Sequence, residues 1–70
     1  MIGNIRRLFK ELDNYRREEA LCFFKEEFEL ANRKYALNVW IIEGRIPEEN
    51  QERVVVFLQN LVRIQSLDQK

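Results

Sequence analysis

Seventy residues suffice for one small domain, and twelve Lys and Arg against twelve Asp and Glu leave it without net charge. A chain this short buries only about 60% of the surface its unfolded form exposes, so a disulfide, a metal or a second subunit usually supplements the core. With Cys22 alone and no His, disulfide and imidazole–metal support are closed within one chain, and zero net charge gives the molecule as a whole no electrostatic claim on nucleic acid or membrane.

The opening stretch MIGNIRRLFKEL lacks the continuous apolar core and small-residue cleavage site of a signal peptide. The longest apolar run, 54–58, is far too short to span a bilayer. With one unpaired Cys, these features predict a cytoplasmic protein. Residues 4–12 form an amphipathic piece, with Ile5, Leu8, Phe9 and Leu12 on one side and Arg6, Arg7, Lys10 and Glu11 on the other. Asn4 suits the N-cap of that helix. Asp13-Asn14 either breaks the chain there, since short polar side chains compete for backbone hydrogen bonds, or the helix runs through into the next element.

From 14 to 43 the spacing predicts one long helix. Leu21, Phe24, Phe28, Ala31, Tyr35, Val39, Ile42 and Ile46 recur every three or four residues as a single stripe. Phe23, Leu30, Leu37 and Ile41 form a second stripe on the far side, with charged residues such as Glu29 and Arg33 between. A helix apolar on two faces has to be covered on both. Gly44-Arg45-Ile46-Pro47 then ends it: Gly takes the left-handed position after a helix, and Pro opens the next.

The last helix is predicted over 47–67, with Glu48 and Glu49 at the positive end of its dipole. Val54, Phe57, Leu58, Leu61, Val62 and Ile64 cover about half its circumference, and Val55 widens the face. The β-branched run at 54–56 also suits a strand, but the three–four spacing continues past it and Pro-Glu-Glu opens a helix. The expected architecture is therefore all-α: an antiparallel helical hairpin about Gly44, preceded by a short N-terminal helix. Two such hairpins are expected to dimerise into a four-helix bundle, burying Phe23, Leu30, Leu37, Ile41, Val55 and Val62 between subunits.

Little in the chain does chemistry. The absence of His removes the usual general base. Ser66 is the sole Ser and lies near the C-terminal end, so no hydroxyl–base–orienter set assembles. Gly3 and Gly44 are too far apart for a phosphate loop. The glutamates at 18, 19, 26, 27 and 29 read as a solvated face, with pairs such as Glu29–Arg33. Cys22 reads as a buried small hydrophobe, and Tyr15 and Trp40 as cover on the shoulder of the core. No catalytic, cofactor or metal residue is assigned, and no cofactor is expected.

Charge is segregated along the chain. Arg6, Arg7, Lys10, Arg16 and Arg17 face only Glu11 and Asp13 in the first seventeen residues, and the next thirteen are strongly acidic. The leading expectation is a non-enzymatic protein–protein interaction module, regulator or adaptor, acting as a homo-oligomer. Two alternatives stand beside it. One is an RNA-binding bundle that uses Arg6, Arg7, Lys10, Arg16 and Arg17 on phosphates; the other is a peripheral membrane protein lying on its first dozen residues. A helix-turn-helix DNA reader fits poorly, because Glu48 and Glu49 would meet the phosphates.

Overall fold

The apolar residues of the N-terminal segment do form a helix. The computed structural model, which describes residues 2–68, places it at α1 (Ile2–Glu11), with Ile5, Phe9 and Leu12 buried. Asn4 is not its N-cap: the helix has already begun at Ile2, and the Asn4 Oδ1 accepts a hydrogen bond from Arg7 Nη2 at 3.1 Å. The chain breaks after Leu12, so of the two readings at Asp13-Asn14 the break holds. Asp13 is extended (φ −74°, ψ 172°), and its Oδ1 accepts from the Arg16 N–H at 2.9 Å as the N-cap of α2 (Asn14–Glu27).

The predicted helix over 14–43 is not continuous. After Phe28, Glu29 turns left-handed at φ 53°, and the Leu30 N–H donates back to the Lys25 carbonyl at 3.0 Å. This is the Schellman closure of a helix, made here without glycine. Asn32 then starts the next helix, its Oδ1 accepting from the Tyr35 N–H at 2.7 Å. The third helix, α3 (33–42), opens with an α-helical turn at Arg33–Tyr35 and widens into a π-helix at Ala36–Ile42. Its hydrogen bonds run from i to i+5. The expected Glu29–Arg33 pair is lost with the helix, and Arg33 instead pairs with Glu18 at 2.5 Å.

The turn at Gly44 is as the sequence predicts. Gly44 sits at φ 72°, the Glu43 N–H reaches the Asn38 carbonyl at 3.0 Å, and the Arg45 N–H reaches Val39 at 2.9 Å. The last helix, α4 (Glu48–Asp68), follows Pro47, whose carbonyl accepts from the Asn50 N–H at 2.9 Å. Its 21 residues span about 31 Å, nearly the 35 Å long dimension of the molecule. Among the described residues all regular structure is helical. The helices flanking Gly44 do not make a simple two-helix hairpin, because α4 packs chiefly against α1 and α2.

The break at 28–32 explains why the two stripes misassign burial. They assume one helical phase, and the chain changes direction and pitch midway. Ala31, Tyr35 and Ile42 of the first stripe are exposed; Ile41 of the second is buried, and Phe23, Leu30 and Leu37 are half-buried against the core. Cys22, expected inside, is exposed. Trp40, expected at the shoulder, is buried in the core. On α4 the inward line is Val54, Leu58, Leu61 and Gln65, leaving Ile64 outside at 44% exposure.

An aromatic cluster joins α2, α3 and α4. Phe23 stacks on Phe57 with centroids 3.9 Å apart, Phe24 lies edge-on to Phe57 at 5.6 Å, and Trp40 lies 5.0 Å from Phe28. Rings in such arrangements contribute about 0.5–1.5 kcal/mol per pair beyond burial alone. The Cα radius of gyration is 11.3 Å, against about 11 Å for a compact chain of this length. Folding back at 28–32 thus lets one chain cover most of what an unbroken helix would leave bare.

Gln65 ties the start of the chain to its end. Its Oε1 accepts from the Asp13 N–H and its Nε2 donates to the Glu11 carbonyl, both at 2.8 Å, in a side chain only 9% exposed. These are the backbone groups released by the break between α1 and α2. Gln65→Leu leaves both unpaired and should destabilise the protein by about 2 kcal/mol, read as a lower urea midpoint at unchanged slope; an unaltered midpoint would show that water replaces the amide. The two left-handed residues should respond in opposite directions. Glu29→Gly removes a backbone cost of about 1–2 kcal/mol, partly offset by glycine's chain entropy, and should raise the Tm, whereas Gly44→Val should lower it. Thermal melts of both variants check the pair, and parallel shifts would contradict the assignment.

Candidate functional site

Two helix C-termini converge on one side of the molecule, and arginines from elsewhere in the chain close both. The last carbonyls of α1 accept from Arg17 of α2: its Nε donates to Phe9 O at 3.2 Å and its Nη2 to Lys10 O at 2.7 Å. The last carbonyls of α3 are met by Arg6 of α1, with Nη2 donating to Ile42 O at 2.7 Å and Nε more loosely to Ile41 O at 3.5 Å. A carbonyl oxygen orients a guanidinium without neutralising it. The helix terminus offsets roughly half a unit of charge, so each cation keeps a substantial positive field.

Between these caps lies an open groove of about 630 Å³, lined by Phe9, Leu37, Ile41 and Ile42 with Arg6, Lys10 and Arg17 at its edge. It continues past Leu37 and Leu21 into a smaller depression bordered by Glu18, Arg33 and Lys34. Among the described residues the sole carboxylate along this track, Glu18, is already paired with Arg33. Ile42 is 57% exposed at the rim, and Lys10 is exposed and makes no ion pair among the described residues.

The structure thus brings together residues that the sequence assigns to separate roles. Leu37 and Ile41, expected between subunits, and Arg6, Lys10 and Arg17, considered for phosphate contact, line one groove. Other residues of those sets lie elsewhere. Phe23 stacks on Phe57 between α2 and α4, and Leu30, Val55 and Val62 are half-buried against the core. Arg16 is paired with Asp68, and Arg7 turns to Asn4. Phe9, Ile42, Arg33 and Lys34 also belong to the groove, though the sequence assigns none of them a binding role: Phe9 and Ile42 read as core and Arg33 as half of an intrahelical pair. Ile42 was the legible one of these: its place in the apolar stripe holds only if the helix is unbroken, and Asn32, a strong N-cap residue, signals the break.

Among the described residues no group of His, Cys, Asp or Glu is arranged to hold a metal ion, and no helix is long and apolar enough to cross a membrane. Comparison of the chain with protein-family models, with curated proteins and with solved structures finds no match.

Proposed function

We propose that this chain is a small non-enzymatic protein–protein interaction module, of the adaptor or regulator kind, that recognises a partner through the groove between α1 and α3. The observation that carries the reading is the exposed apolar side chain of Ile42 set beside cations fixed by backbone carbonyls. Apolar surface rimmed by oriented polar groups is how binding surfaces are built. Phosphate contact by the basic N-terminal segment is less well supported, because Arg16 is paired with Asp68, Arg7 turns to Asn4, and the remaining cations border an apolar floor. Membrane attachment through the first dozen residues is less well supported too, since Ile5, Phe9 and Leu12 face the core.

Ile42→Glu tests the module. The side chain is largely in water, so fold and Tm should hold while a partner cross-linked from the native host by the wild-type chain is lost. A folded Ile42→Glu variant that keeps the same partner would move recognition off this groove.

A second reading, homodimerisation, is favoured by a separate observation. Val56, Ile64 and Leu67 are 48%, 44% and 62% exposed and lie on the outer side of α4, with Asn60 between them and the Phe23–Phe57 stack beside them. Pairing of α4 with α4 of a second copy would bring the helices into a bundle. Light scattering should then give twice the chain mass at micromolar concentration, falling to one with Ile64→Glu. A wild-type monomer would remove the dimer and leave the groove untouched.

A further inference from the structure

We infer that the occupant of the groove is an acidic amphipathic helix of another protein, one with carboxylates flanking two or three large apolar anchors. The inference rests on the module reading and adds the chemistry of the partner. Three features of the groove decide that chemistry.

The first is charge. Arg6 and Arg17 are held by main-chain carbonyls at 2.7 Å, and Lys10, with no ion pair among the described residues, stands beside them. Fixed guanidiniums lose little entropy when a carboxylate arrives, and their remaining N–H groups suit bidentate contact. The second feature is shape. The groove is open and runs on past Leu37 toward Lys34, which suits a segment of chain better than a compact ligand. The third is backbone. Among the described residues there is no strand whose edge an extended peptide could join. A helix, whose own backbone is satisfied, is the segment that lies between two other helices with its apolar face down.

A second copy of this chain does not supply such a segment. Its acidic face on α2, around Glu19 and Glu26, offers Cys22 and one large side chain, Tyr15 in the first turn, short of the two or three anchors such a segment carries. The exposed apolar line of α4 runs among Glu52, Arg53 and Arg63 and has no acidic bias. One surface has the charge and the other the anchors.

The test uses the whole chain and two synthetic peptides, helical and fluorescently labelled, with Leu at positions i, i+3, i+4 and i+7. One is flanked by Glu, the other by Lys at the same positions. Anisotropy at low salt should show the Glu peptide binding at least about tenfold tighter than the Lys peptide, with the difference shrinking as salt rises. Lys10→Glu with Lys34→Glu should abolish the preference at unchanged Tm, since neither lysine is buried. Equal binding of both peptides, or a preference that survives the double substitution, would overturn the inference. So would a labelled RNA oligonucleotide that binds more tightly than the Glu peptide and loses affinity in the same variant. If the acidic preference is absent while Ile42→Glu still releases a cross-linked partner, the module stands and its partner's assigned chemistry falls.

Discussion

Helix ends govern this molecule. Each place where a helix stops releases N–H and C=O groups that have to find partners, and the chain stops helices at three internal points within 67 described residues. Glycine closes just one of them, at Gly44. The end of α2 closes locally on left-handed Glu29, and the end of α1 relies on side chains brought from other elements. Gln65 reaches back to Glu11 and Asp13, and Arg17 covers the end of α1. Arg6 adds to Gly44 at the end of α3. These long-range caps fix the order in which the helices stack, because each forms in only one relative placement of two elements. Apolar burial supplies most of the stabilisation, but it is non-directional; the caps make the arrangement unique.

The same caps give the groove its character. A guanidinium spent on a carboxylate is neutral from a distance, as Arg33 with Glu18 and Arg53 with Glu27 are. Such surface pairs contribute about 0–1 kcal/mol. One spent on a carbonyl still carries net charge. Arg6 and Arg17 therefore serve structure and recognition together, and the apolar floor between them is left by the convergence of α1 and α3. Removing either arginine to probe binding would also open a helix end, which is why the informative substitutions fall at Ile42, Lys10 and Lys34.

Much of the secondary structure was legible in the residues. Helical spacing gives α1 and α4, Asp13-Asn14 offers the first break, and Gly44 with Pro47 marks the turn. The break at 28–32 was hidden for a physical reason: its left-handed residue is Glu29, and a non-glycine left-handed residue leaves no compositional trace. Asn32 was the available clue. The π-helix was hidden as well: of its inward set, Ala36 and Trp40 keep the i, i+4 spacing of an α-helix, and only Ile41, five residues after Ala36, departs from it. Gln65 carries no signal of its role in the sequence; the packing shows that it faces two orphaned backbone groups. The groove follows from these unread features. Its residues are plain in the sequence as types, basic or apolar, but their meeting depends on where the chain bends.

The π-helical stretch also sets how this segment can change over evolutionary time. Substitution at 36–42 keeps the hydrogen-bond register, so many replacements of similar bulk fit. Loss of a single residue is a different event. The wide turns hold one residue more than an α-helix of the same reach, so reverting the ladder to α-helical bonding can absorb the loss with little rotation of what lies downstream. Gly44 would stay near its left-handed position, Ile46 near its place in the core, and Arg6 near its carbonyls. The π-helical ladder is thus a point at which this fold can shed a residue and keep its packing.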